Sequence, residues 1–196
     1  MTVAERVADP HLAGAVLGRA FTTDPVFSWL MQGRGRREHR LSLVFDAFAG
    51  GALHKPEAQV LVTPDRTAAS IWLPPGEWQA PPAELVRFGP QLVRAFGPRV
   101  LRALMLLTRI EKHHPSEPHW YLEAIGTVPE ARGRGIGPTV LTPVLERCDA
   151  TGLPAYLESS NPRNISFYER HGFVAMPLFP LPDGCPVITP MWRAPR

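Results

Sequence analysis

Cysteine is scarce: Cys148 and Cys185 are the two in 196 residues. Secreted scaffolds that depend on disulfides carry more, so a reducing, cytoplasmic compartment is expected. Long apolar runs are missing too. No uncharged stretch approaches the roughly 20 residues of a membrane helix, and the opening MTVAERVADP lacks an apolar core and carries acids early, so neither a membrane partner nor a signal peptide is expected. Charge of one sign is also short, with a net charge of +3. The densest basic run, residues 34–40, is brief and not interleaved with aromatics, which argues against a nucleic-acid partner. No internal repeat is found. Apolar residues at 44% and charged residues at 20% are ordinary for a globular chain, and the length fits a single domain over residues 1–196.

Proline, by contrast, is abundant at 23 residues. It falls in short clusters, at Pro74-Pro75, Pro81-Pro82 and after Pro177, which read as loops between elements. Residues 9–22 space their apolar positions as an amphipathic helix, broken at Asp24-Pro25. A second helix is expected over 35–50, ended by Gly50-Gly51. Residues 58–63 and 67–73 are two short apolar strands around Pro64-Asp65-Arg66, a hairpin signature. Helices are expected over 83–96 and 98–112, split at Gly97-Pro98. A strand over 119–127 then leads into a glycine-rich turn, a helix to about Ala150, a strand over 154–158, a helix over 162–170 closed by Gly172, and two final strands. The order implies a mixed α/β sheet flanked by helices.

The turn Arg132-Gly133-Arg134-Gly135-Ile136-Gly137 carries the most chemistry. Glycines between a strand and a helix let the backbone turn tightly and aim its N–H groups at one point, where the positive end of the helix adds its field. The result is an anion site suited to a diphosphate. Pro138 fits the first helical position, because it has no N–H to leave unpaired. A P-loop would need Gly-Lys-Ser/Thr, and the lysine is missing. A dinucleotide-binding GxGxxG would need glycine at 138 or 140, where Pro138 and Val140 stand. The pattern Arg/Gln-x-x-Gly-x-Gly/Ala is met in full.

This segment, "VPEARGRGIGPTVLTPVLERC", together with "LESSNPRNISFYERHGF", resembles the two signatures of the GNAT acetyltransferase superfamily, in order and correctly spaced. The wider pattern is most similar to the puromycin N-acetyltransferase branch. The resemblance implies a mostly antiparallel sheet of about 6–7 strands, splayed in the middle to admit acetyl-CoA, with 1–115 forming the acceptor side and 116–196 the cofactor half. It implies acetyl transfer to a primary amine of a small molecule by direct attack. A peptide amino terminus as acceptor, or CoA binding without catalysis, is the alternative.

Under that resemblance Tyr168 is the general acid that protonates the leaving thiolate, a role open to a phenol because its proton affinity is close to a thiol's. Glu123, on the strand into the turn, is the candidate base, with Glu158 in reserve. Strict strand alternation would put Tyr121, Glu123 and Ile125 on one face and Leu122, Ala124 and Gly126 on the other, leaving Glu123 among apolar neighbours that raise its pKa. Ile125, Gly126 and Thr127 would run beside the pantetheine, and a backbone N–H near Thr127 would stabilise the oxyanion. Arg132, Gly133, Arg134, Gly135, Ile136, Gly137 and Pro138 would wrap the pyrophosphate. Asn161 would contact the pantetheine or cap a helix, with Asn164 a weaker second.

Other features read as structural. His113, His114 and His119 lie among prolines and are taken as loop histidines with no metal. Phe27 and Trp29 are either acceptor-pocket aromatics or helix packing, and Trp72, Trp78 and the loop 74–82 are core and lid or pocket wall. Arg87, Arg94, Arg99 and Arg102 read as a solvated helix face. The apolar final strand offers a route to a homodimer.

Overall fold

A computed structural model describes residues 3–31, 33 and 35–196. Arg34 of the basic run and the first two residues lie outside them. Among the described residues the chain forms one seven-stranded sheet and seven α-helices. The strands are β1 (Glu5–Arg6), β2 (Gln59–Val62), β3 (Ala68–Leu73), β4 (Trp120–Thr127), β5 (Ala155–Ser159), β6 (Val174–Ala175) and β7 (Thr189–Arg193). Their order is β1-β2-β3-β4-β5-β7-β6. Every pairing is antiparallel except β4 with β5.

The helices are α1 (Pro10–Ala20), α2 (Pro25–Leu30), α3 (Arg37–Leu53), α4 (Pro82–Phe96), α5 (Val100–His113), α6 (Gly137–Thr151) and α7 (Ile165–Arg170). Each face of the sheet buries its own apolar cluster. Leu17, Val44, Phe45 and Ile71 belong to the side covered by α1 and α3. Trp72, Trp120, Leu141 and Met191 belong to the side covered by α6. Ser70 Oγ donates 2.7 Å to the Val140 carbonyl, tying α6 to the middle of the sheet.

Several expectations need correction. Gly50-Gly51 does not end α3, which continues to Leu53. Gly51 and Gly50 are buried there, so packing against the neighbouring α4 outweighs their low helix propensity. The short α2 follows Asp24 directly, because the Asp24 carboxylate accepts from Phe27 N–H at 3.0 Å and caps it. The final strand β7 has β5 on one side and β6 on the other, so that edge of the sheet is β6. Three of the four arginines taken as a solvated face are engaged. Arg99 donates to the Trp29 carbonyl, Arg102 stacks over the Trp29 ring, and Arg87 meets His54.

Candidate active site

The parallel pairing of β4 with β5 runs only from Trp120↔Ala155 to Leu122↔Leu157. Beyond it β4 continues to Thr127 with no partner on that side among the described residues, and the sheet splits. A cavity of about 280 Å³ opens at the split, lined from both arms by Glu123, Ala124 and Ile125 and by Leu157 and Glu158, and farther on by Tyr168. Helices α4 and α5 cover it, contributing Phe88, Leu92, Leu106 and Leu107.

Glu123 sits at a β-bulge. Ile71 of β3 pairs with Ala124 while Trp72 pairs with Leu122, so Glu123 has no partner of its own. The extra residue reverses the alternation beyond it. Ala124 joins Tyr121 in the cluster under α1 and α3, and Ile125 joins Trp120 and Leu122 under α6. The expected faces for Ala124, Ile125 and Gly126 are therefore exchanged, because a bulge breaks the two-residue period. Glu123 still reaches the cavity. Its Oε2 is sealed from solvent and accepts no hydrogen bond among the described residues. Burial raises its pKa to about 8, with Glu84 and Glu158 adding to the rise and Lys55 opposing it.

Glu158 has a different setting. Tyr121 OH donates to its Oε2 at 2.8 Å, and its Oε1 lies 3.5 Å from His114 Nδ1 with both side chains almost wholly buried. Behind His114 stands His119, Nε2 to Nε2 at 2.9 Å, and His119 Nδ1 is 2.6 Å from the Glu117 carbonyl. That carbonyl can only accept, so His119 carries its proton on Nδ1. Burial lowers the His119 pKa and keeps the ring neutral, so its Nε2 accepts from His114 Nε2–H. His114 Nδ1 then faces Glu158, and the contact is attractive only with one proton between them. None of the three histidines is a bystander: His113 closes α5, His114 caps it and stacks on Trp78, and His119 is buried. The run read as a loop because its prolines carry no periodicity, and only tertiary packing brings the rings to Glu158.

Tyr168 is buried, and desolvation raises its pKa, with Asp24 adding to the rise. The phenol therefore stays protonated at neutral pH, the form a proton donor needs, while the rise makes it a weaker acid than a free phenol. Asp24 accepts from Ser160 Oγ at 2.5 Å, a link that joins α2 to the end of β5 and that no sequence motif announces. Phe27 and Trp78 line the cavity; Trp29 does not, and Trp72 is core.

The glycine turn lies at the start of α6. Gly133 and Gly135 have φ of 74° and 72°, and no atom lies within 4 Å of a Cβ placed on either. The N–H groups of residues 133–136 have no acceptor among the described residues. Ile136, the residue before α6, offers no side-chain cap. The turn thus presents free amides, open space and the positive end of a 15-residue helix, which fits a diphosphate. Arg132 is spent locally, donating from its side chain to the Thr127 and Ala20 carbonyls, while Arg134 is exposed. A Cβ on Gly137 would meet the Phe167 ring at 3.2 Å, so the last glycine answers to packing. Gly126 does so as well, since a Cβ there would come within 2.6 Å of Ala20. Asn161 Oδ1 accepts from Arg163 N–H at 3.1 Å and caps the short 3-10 turn before α7, while Asn164 lines the cavity.

A family model described as the acetyltransferase (GNAT) family matches residues 83–173. An uncharacterized N-acetyltransferase of Schizosaccharomyces pombe is 28% identical over 177 residues, covering 85% of this chain and 71% of that protein. The solved structure of histone acetyltransferase HPA2 and related acetyltransferase from Corynebacterium glutamicum matches with a TM-score of 0.73 at 25% identity, covering 100% of this chain and 98% of that one. The polyamine N-acetyltransferase of Drosophila melanogaster shares the fold, with a TM-score of 0.60 at 16% identity over 99% of this chain and 100% of that one. With the split sheet, the open glycine turn and these relatives together, the chain has the GNAT fold, and the family match over residues 83–173 and its relatives support its being an acetyltransferase.

Proposed function

We propose that the protein is an acetyl-CoA-dependent N-acetyltransferase that acts on a primary amine of a small molecule by direct attack. The observation that carries this reading is Glu123 Oε2, a sealed carboxylate oxygen without a donor, on the wall of a cavity that also holds Tyr168. Bound acetyl-CoA supplies the acetyl group as a thioester. The amides of residues 133–137 hold its diphosphate, and the unpaired edge of β4 at Ile125, Gly126 and Thr127 runs beside its pantetheine. A buried base with a pKa of about 8 is matched to taking a proton from an amine near neutral pH. Glu123 Oε2 takes that proton, the amine nitrogen bonds the acetyl carbon as the carbon–sulfur bond breaks, and Tyr168 Oη protonates the departing sulfur.

The test is release of free thiol from acetyl-CoA over a panel of primary amines, with the acetylated amine identified by mass spectrometry. Turnover is expected for at least one small amine. Acetyl-CoA binding with no amine acetylated would overturn the reading.

A further inference from the structure

The cavity divides its chemistry unevenly. Its carboxyl oxygens are gathered near the strand split: Glu123 Oε2 and Glu158 Oε1 are both buried and neither makes a hydrogen bond among the described residues, Glu158 Oε1 having His114 Nδ1 3.5 Å away. Glu111, three residues before His114 on the last turns of α5, adds to the same end. The remaining carboxylate on the wall, Glu84, is already paired with Lys55 at 3.6 Å, and both side chains are largely buried. The rest of the lining is aromatic and aliphatic, with Phe21, Phe27, Phe45, Phe48 and Phe88 among it. Phe21, Phe27, Phe45 and Phe48 form one continuous cluster, with ring centroids 4.7 to 5.9 Å apart.

A buried carboxylate oxygen without a donor is costly unless the ligand brings one. Two such oxygens at one end call for a single cationic head. The apolar remainder gives a second charge nothing to pair with. We infer that the acceptor is a hydrophobic primary monoamine, its ammonium held by Glu123 and Glu158 and its aromatic or aliphatic body lying among the phenylalanines. This rests on the amine-acetylating function proposed above and goes further by excluding polyamines and guanidinium-tailed amines as preferred acceptors. His114 enters as a positioning residue, since its Nδ1 faces Glu158 Oε1 at 3.5 Å.

The experiment compares phenethylamine and hexylamine with putrescine, spermidine and agmatine. The kcat/KM of the hydrophobic monoamines is expected to exceed that of the others by at least tenfold, and Phe88→Ala to lower it for phenethylamine without moving the KM for acetyl-CoA. Equal or better turnover of the polycationic amines overturns the inference. Calorimetry with the same amines, with coenzyme A present, separates this failure from that of the catalytic reading. Monoamines that bind but are not acetylated uphold the inference and overturn the activity. Polyamines that bind more tightly overturn the inference, and amines neither bound nor acetylated overturn both.

Discussion

A carboxylate among apolar side chains resists ionisation because the charged form loses its water, and Glu123 is such a group. Unfolded, it titrates near 4.5; folded, near 8. Between those values the native state holds a proton that the unfolded chain has lost, so this residue's contribution to stability falls as pH rises through that window and is flat above it. Glu123→Gln removes the penalty. The variant is expected to be more stable than the parent at pH 8 and indistinguishable at pH 4, read from urea midpoints at each pH. Activity runs the other way. The carboxylate is the working form, so kcat/KM is expected to rise towards pH 8, and Glu123→Gln to lose that limb with a drop of about 10²–10⁴. Tyr168→Phe removes one proton donor and nothing else. It is expected to lower kcat over a comparable range, about 10²–10⁴, with the KM for acetyl-CoA unchanged. An unaltered kcat would remove Tyr168 from the reaction.

The glycine turn and β4 show what can be tested one element at a time. Gly135 has a left-handed backbone and empty space around it, so Gly135→Asp adds a charge to the anion site without striking protein. Binding of acetyl-CoA is expected to vanish while thermal unfolding moves only by the strain of that backbone, about 1–2 kcal/mol. Normal binding in calorimetry would break the assignment of the turn. This turn was legible in the sequence because free amides before a helix need only small residues in order. The face of each β4 residue was not legible. Alternation assumes a strict period of two, and one bulged residue, visible only as a register shift against β3, exchanges everything beyond it. His114 and His119 were hidden for a related reason. Glu158, the partner of His114, is 44 residues from it along the chain, and His119 joins the group only through His114, so no spacing rule announces them.

Across the whole molecule the fold was readable because two local signatures fix the strands that split and most other elements follow from apolar periodicity; the two-residue β1 and the six-residue α2 are too short to show one. The acceptor side was less so, since its part of the cavity is assembled from four helices, α2 to α5, that share no motif. The carboxyl end of the chain is pinned by a bidentate pair: Arg193, buried in β7, donates to both oxygens of Asp149 on α6 at 2.8 and 2.7 Å. That bond and the other contacts of Asp149 hold its carboxyl below the usual range. The stability it supplies is present above the unfolded pKa near 3.8 and is lost as pH falls through the lower folded value. Asp149→Ala strands a buried guanidinium and is expected to cost about 3 kcal/mol in denaturant unfolding. A cost near zero would mean that solvent reaches Arg193.

The helix that covers the cavity ends on the imidazole that faces Glu158. Pocket shape and proton chemistry are therefore inherited as one piece. A descendant that lengthened or trimmed the α4–α5 hairpin to take a bulkier amine would unseat the histidine in the same stroke. Diversification of this lineage is accordingly expected by exchange of single side chains along those helices, with the length of the hairpin left alone.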